Sequence, residues 1–460
     1  MSAVSYICAI PPELLSRIFL LVKHNANPQS ADDRRGRLSP LPIQETCARV
    51  SVHFREVALG TAFLWTTIKI GRHSVADRVA AYCDRSSTAP LDVWVDLHGS
   101  WASDAKVLSS VFDSLAVVAD HRHRWHRLSL DLNRDPITQR SVIDLLCRCP
   151  APMIEYLSLS THSIDEEELP QPANSPTAPT VFMKSSISFL RLRGVAVHYF
   201  LPPLGSLAIL HLETNTTRVS YSTFKGILTS SSTLKHLSVH GETVDRPQWP
   251  LLSAPATLIS LPALKSLRIC GTEGPVYAGI IFNIDAPLLD SLTLKAMLDG
   301  DLVYGHMGNF TSFPQIKVLT FCDFDLSDLG FLSMYKLFPS IETFNSPSTT
   351  IEVSRACKSL CALTGPGHAV PWPNLHTLDL GWDDMEDPVS ISLLNDARGA
   401  LGRPLSGILF RTGEEELIQP WLAEVAESTG NLNCDFSSTV DAWPCGWRMQ
   451  YTDPEDTLFD

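Results

Sequence analysis

Long apolar runs are missing from this chain, and so are the short patterns that announce most enzymes. No stretch of about eighteen uninterrupted apolar residues occurs, the length a membrane-crossing helix needs. The start lacks the basic region, apolar core and small-residue cleavage site of a secretory signal. A Gly-x-Gly-x-x-Gly, a phosphate loop, a Gly-x-Ser-x-Gly elbow and a His-Glu-x-x-His pair are all absent. Basic charge is short: 36 Lys and Arg stand against 50 Asp and Glu, and the net charge of −14 argues against nonspecific nucleic-acid binding. Eleven cysteines without a repeated pair spacing fit reduced thiols better than a disulfide framework. From these features an intracellular chain, of cytoplasm or nucleus, with no membrane partner is expected.

The residues that do carry chemistry fail to converge. The run HRHRWHR from His121 packs three histidines and three arginines, but no Cys or carboxylate cluster joins His121 and His123 to complete a metal site. A solvated helix-to-strand turn is expected there. Cys147-x-Cys149 and Cys357-x-x-x-Cys361 lack the paired spacing of zinc sites, so each cysteine is expected to pack as a small apolar side chain. The runs DEEEL from Asp165 and GEEEL from Gly413 read as solvated charge, with no partner for acid–base work. No catalytic residue, metal or cofactor is expected.

What the chain does contain is an internal repeat. With 44% hydrophobic residues it can bury a large core, and its 460 residues exceed what one core usually holds. An apolar residue, two variable residues, then Leu-x-apolar recurs as WHRLSL from Trp125, IEYLSL from Ile154, ISFLRL from Ile187 and LAILHL from Leu207. It continues as LKHLSV from Leu234, LKSLRI from Leu264, LDSLTL from Leu289, IKVLTF from Ile316 and LHTLDL from Leu375. IETFNS from Ile341 is a degraded copy, and LSGILF from Leu405 fits as a last one. Leu190, Leu210, Leu237, Leu267, Leu292 and Leu319 are spaced by 20 to 30 residues, the period of a leucine-rich repeat.

Within each copy the alternation has period two, so Leu190 and Leu192 face one side of a strand while Arg191 and Arg193 face the other. One such strand cannot bury its apolar side, but strands stacked in parallel can, with helices packed outside. AKVLSSVFDSLAVVA from Ala105 and SVIDLLCRC from Ser141 have helical apolar spacing. Pro262, Pro287, Pro314, Pro339 and Pro373 precede strands and punctuate the turn into them. The expected fold is therefore α/β: an irregular solenoid with parallel strands on a concave face. That face would present Arg191, Arg193, His211, Glu213, Ser238, His240, Arg268, Thr293 and Lys295, a net basic set suited to an acidic or phosphorylated substrate segment. The competing reading is of solvated strand positions with mixed charge. For the fold it is a mixed α/β domain with unrelated Leu-rich strands.

The N-terminus reads differently. Pro11 and Pro12 suit the first turn of a helix, Glu13 suits its dipole, and Leu14, Leu15, Ile18, Phe19, Leu21 and Val22 spread apolar surface over more than one face. Some of that surface needs a partner. Cys47, Val50, Phe54 and Val57 follow at spacings of a second amphipathic helix, after a polar gap from Lys23 to Gln44 that reads as a loop.

These residues resemble an F-box. Ile10-Pro11 stands where Leu-Pro is usual, and Glu13, Leu14, Leu15, Ile18 and Phe19 match the Glu-Leu-Leu-x-x-Ile-Phe that follows. Val50-Ser51-Val52-His53-Phe54-Arg55 is similar to Val-Cys-x-x-Trp-Arg, with Phe54 for the usual tryptophan, and Leu64-Trp65 matches the closing Leu-Trp. With the repeats, the whole resembles the divergent leucine-rich-repeat F-box proteins common in fungi, although the repeat's usual Asn or Cys is mostly absent. The resemblance implies an F-box at 1–70, a link at 71–90, a solenoid at 91–430 starting with LDVWVDL from Leu91, and a cap or tail at 431–460. It implies that Ile10, Pro11, Leu14, Leu15, Ile18, Phe19, Val50 and Phe54 bind a Skp adaptor and, through it, a cullin. The chain would then be the non-catalytic substrate adaptor of a Skp-cullin-F-box ubiquitin ligase. Two alternatives stand beside it: a repeat scaffold without a ligase role, its first helices only a cap, and an enzyme hidden in the repeats.

Overall fold

Each repeat hexamer builds the same local object, a tight turn followed by a parallel strand. The protein is seen here in a computed structural model that describes residues 10–25, 42–97, 104–132, 150–161, 186–194, 204–214, 218–244, 249–250, 258–271, 274–299, 301, 312–346, 350–362, 370–381, 389–411 and 433–437, with single residues between 135 and 145. The chain divides after Leu204 into two compact units.

The first unit opens with three helices, α1 (Pro12–Asn25), α2 (Ile43–Val50) and α3 (Val52–Gly60), and a 3-10 turn at Ala62–Trp65. Strands β1 (Thr67–Ile70), β2 (Leu91–Asp96), β3 (Trp125–Leu132), β4 (Tyr156–Thr161) and β5 (Phe189–Arg193) then pair in chain order, all parallel. Helix α4 (Ala76–Arg85) connects β1 to β2, and α5 (Ala105–Asp120) connects β2 to β3. Register places Ile68, Val93, Leu128, Leu157 and Leu190 in one row and Ile70, Val95, Leu130, Leu159 and Leu192 in the next. All ten side chains are buried.

The second unit repeats the scheme. Strands β6 (Ile209–Thr214), β7 (His236–Gly241), β9 (Ser266–Cys270), β11 (Ser291–Lys295), β12 (Val318–Cys322), β13 (Thr343–Ser346), β14 (Thr377–Gly381), β15 (Gly407–Arg411) and β16 (Asn433–Ser437) pair in parallel in that order. A separate two-stranded pair joins β8 (Ile259–Ser260) to β10 (Ile284–Asp285). Helices α6 (Tyr221–Thr229), α7 (Gly274–Ile281), α8 (Asp328–Leu337), α9 (Thr350–Ala362) and α10 (Val389–Ala400) fill the connections. Leu210, Leu237, Leu267, Leu292, Leu319, Phe344, Leu378 and Ile408 form the central apolar row.

The turn before the strands has a definite mechanism. In five copies proline is the second residue of the turn, and in four of them the amide two residues after it donates to the carbonyl before it: Leu264 to Leu261 (3.1 Å), Leu289 to Ala286 (3.1 Å), Ile316 to Phe313 (3.3 Å) and Leu375 to Trp372 (2.9 Å). Proline's fixed φ preorganises this turn, and the apolar residue that closes it is the first residue of the hexamer. The strand therefore begins at the third residue, two later than the repeat itself.

Four expectations are corrected. The sheet begins at β1, one strand before Leu91. Residues 71–90 are more than a link, because α4 buries Val79, Tyr82 and Cys83 there. The sheet also runs past residue 430, since β16 lies in the segment assigned to a cap. The helix expected through Cys47 and Val57 is two: Ser51 is extended (φ −157°), and its hydroxyl accepts from the Phe54 amide at 3.1 Å, capping α3 and ending α2. The acidic runs from Asp165 and Gly413, the residues 443–447 (Trp, Pro, Cys, Gly, Trp) expected to cap the solenoid, and the paired Cys147 and Cys149 lie outside the described residues. No helix among the described residues is long and apolar enough to cross a membrane.

The HRHRWHR run is not a wholly solvated turn. Arg124 is buried and donates to the Cys83 carbonyl (2.7 Å), the Ser86 hydroxyl (2.9 Å) and the Ala89 carbonyl (3.1 Å), closing the end of α4. Arg398 repeats the device in the second unit, donating to the carbonyls of Pro371, Trp372 and Leu375. Removing such a group strands buried acceptors. Arg124→Met is expected to lower unfolding free energy by about 3 kcal/mol in urea titrations followed by tryptophan fluorescence. A loss under about 1 kcal/mol would mean that water replaces the guanidinium.

Candidate docking surface on the N-terminal helices

Helix α1 has two apolar faces with different fates. Leu15 (2% exposed) and Phe19 (3%) turn inward, and the Phe19 ring meets Phe54 of α3 at 5.3 Å. Leu14 (51%), Ile18 (43%), Leu21 and Val22 form an outward stripe at helical spacing, and Val50 and Val52, flanking the break at Ser51, are also exposed. Pro11 is exposed, while Ile10 is half-buried with its carbonyl accepting from His53 Nε2 at 3.2 Å. Of the residues expected at a partner surface, Pro11, Leu14, Ile18 and Val50 are therefore open. Leu15 and Phe19 are spent on the protein's own core, because a helix resting on two others must bury one face first. Phe54 is half-buried, so a ring smaller than tryptophan still bridges α3 to α1.

The helices are anchored to the first strands by contacts that the pattern of apolar residues did not signal. Lys23 Nζ donates to the Phe63 carbonyl (2.8 Å) and the Thr66 hydroxyl (3.0 Å), and the Thr61 hydroxyl bonds Ser16 at 3.0 Å. Glu45 Oε1 accepts from Arg78 Nε (2.7 Å) and the Tyr82 hydroxyl (2.6 Å), tying α2 to α4. Trp65 is fully buried, with its indole donating to the Ala58 carbonyl at 2.7 Å. Except for Trp65, whose partner is seven residues away, each is a polar residue whose partner is remote in sequence.

The expected basic face is on the strands but is not an open surface. In the first unit Arg191 and Arg193 align with Ser158 and Ser160, and Arg191 is buried. In the second unit His211, Ser238, Arg268 and Thr293 form one row, and Glu213, His240, Cys270, Lys295 and Cys322 the next. His211, Glu213, Ser238 and Thr293 are buried, whereas Arg193, His240, Arg268 and Lys295 keep partial exposure. Strands about 4.8 Å apart and in register stack these side chains against one another, which is why alternation alone overstated their exposure. The charge is also balanced locally: Lys295 Nζ lies 3.4 Å from Asp323, and His240 lies 4.0 Å from Glu213.

The order Glu213, His240, Cys270 across neighbouring strands has the residue types of a nucleophilic triad. Burial pushes the Cys270 thiol up to about 11, so it is a protonated packing residue at neutral pH. His121 and His123 lie with ring centroids 6.4 Å apart, and no group of three or more possible ligands among the described residues could hold a metal ion. No protein-family model and no curated protein matches this sequence.

Burial pulls the Lys23 ammonium down to about 8, with Asp92 opposing the shift. The folded chain then carries fewer protons than the unfolded one from about pH 8 up to the ordinary lysine value of 10.5, so this group adds stability as pH rises through that window. Wild type is expected to gain on Lys23→Met between about pH 7.5 and about pH 9.5 in paired urea titrations. A constant difference would show that Lys23 titrates as a free lysine.

Proposed function

We propose that the chain is a substrate-recognition adaptor whose N-terminal F-box-like helices hold a Skp adaptor of a cullin ubiquitin ligase and whose leucine-rich-repeat-like strands and loops present a protein substrate. The observation that carries the reading is the outward stripe of Leu14 and Ile18, both at positions that match the F-box pattern. Exposed apolar side chains in a row on a helix mark a surface that is covered in an assembly. The rest of the pattern agrees: Phe19, Phe54, Leu64 and Trp65, at matching positions, hold the three helices together from within. The parallel strands, starting every 20 to 34 residues, support a solenoid-type recognition module.

Co-purification with the host's Skp adaptor tests this. Leu14→Asp with Ile18→Asp, both on exposed positions, is expected to melt with wild type and to lose the adaptor. Leu15→Asp, at a buried position, is expected to unfold the helices and serves as the contrast. A wild-type chain that does not retain the adaptor, or a double variant that retains it fully, overturns the reading and leaves a repeat-built interaction scaffold.

A further inference from the structure

A cleft of about 320 Å3 opens between α2, α3 and α4, lined by none of the residues assigned to adaptor docking. Arg49, Arg55 and Arg85 line it together with Glu45, Leu59 and Trp65. Three guanidinium groups around one cleft are unusual placement on a chain of net charge −14.

Two of the arginines are held ready. The Arg85 guanidinium carbon sits 4.4 Å from the centre of the Trp65 ring, and that ring is fixed by its bond to Ala58 and by edge contact with Tyr82 at 5.1 Å. Stacking of this kind fixes the guanidinium plane while leaving its N–H edge to meet a partner. Arg55 spends only Nε, on the Ala48 carbonyl at 2.9 Å, and its terminal amino groups have no hydrogen-bond partner among the described residues. Arg49 lies 3.9 Å from Glu45 Oε2 and is largely exposed. Glu45 spends Oε1 on Arg78 and Tyr82 and faces Arg49 with Oε2, so it offsets Arg49 but makes no ion pair with Arg55 or Arg85 among the described residues. Leu59, exposed on the same wall, offers an apolar surface beside the charges.

We infer that this cleft binds an oxyanion carried on a protein segment, the carboxylate of an acidic side chain or the phosphoryl group of a phosphorylated one, with Arg55 and Arg85 as its donors and Leu59 supporting the neighbouring residue. Arginine forks pair such groups through two parallel N–H bonds, and Arg49 adds long-range attraction. The site is independent of the adaptor reading, because it uses none of Pro11, Leu14, Ile18 or Val50.

Fluorescence anisotropy with three labelled peptides of one backbone, carrying Glu, phosphoserine or Gln at the same positions, tests the inference on the full chain. The Glu or the phosphoserine peptide is expected to bind and the Gln peptide is not; the tighter of the two identifies the source of the anion. Free inorganic phosphate is the competitor. Arg55→Glu with Arg85→Glu is expected to weaken binding by about tenfold or more, as loss of charge-assisted bonds implies. Added salt should weaken it too. Arg49→Glu, at an exposed position, is expected to weaken binding a few-fold and carries the test if the double variant melts early. Co-purification with the Skp adaptor should survive in Arg49→Glu, which separates this site from the docking stripe. Equal binding of the Gln peptide, no binding of either anionic peptide, or unchanged affinity in a folded variant overturns the proposal.

Discussion

Everything in the two units depends on in-register stacking of apolar residues across parallel strands. A single strand with Leu at every second position gains little, since half its surface would still face water. Placed beside its neighbours, the same strand buries a full side chain on each step, worth roughly 1.5–3 kcal/mol for a leucine. Rows such as Ile68, Val93, Leu128, Leu157 and Leu190 exist only if each crossover returns the chain at one height. The turn before each strand enforces that height. Where proline stands second, it fixes the start of the strand four residues later, at Ser266, Ser291, Val318, Thr343 and Thr377. Contacts are mostly between neighbours, so the connecting segments can differ in length without disturbing the ladder.

The same register sets the chemistry of the opposite face. A parallel ladder aligns whatever the variable positions hold, and here it aligns His211 with Ser238, Arg268 and Thr293, and Glu213 with His240, Cys270 and Lys295. Close stacking strips water from these groups, and their titration reflects it. Burial, with Lys235 and Lys265 adding repulsion, pulls His236 down to about 4, and burial pushes Cys322 up to about 12. Imidazole and thiol there are neutral under ordinary conditions. The charged members are steadied by neighbours, as Lys295 is by Asp323.

How much of this was readable follows from what kind of interaction each feature rests on. Period-two alternation and the 20 to 30 residue spacing are local, so the strands, their parallel order and the helix from Ala105 were legible. Exposure was not, because it depends on how closely neighbouring strands shield one another; Arg191 and Glu213 sit where alternation placed them and are nevertheless buried. The split between α2 and α3 hinged on one hydroxyl, Ser51, competing for a backbone amide inside an otherwise helical pattern. In α1 the sequence showed surplus apolar surface without showing which half was surplus. That required the position of Phe54, which claims Phe19 and leaves Leu14 and Ile18 outside. The arginines of the cleft carried no pattern at all, since Arg49, Arg55 and Arg85 meet only after α2, α3 and α4 pack.

The anchoring of the N-terminal helices bears on what they can do. A docking module on a flexible tether would leave a bound partner free to reorient against the rest of the chain. Here Lys23 bonds the turn before β1, Thr61 bonds Ser16, and Glu45 reaches two residues of the first crossover helix. The last helical turn runs into β1 without a linker, and β1 pairs at once with β2. A partner seated on Leu14 and Ile18 would thus be held in a fixed orientation to the first strands. Under the proposed adaptor role, in which a substrate must come within reach of a separate transfer enzyme, fixed geometry would raise the effective concentration at the target above that of a loose tether. Burial of Leu15 and Phe19 fixes the inner face of α1 against the other helices and leaves only its outer face open.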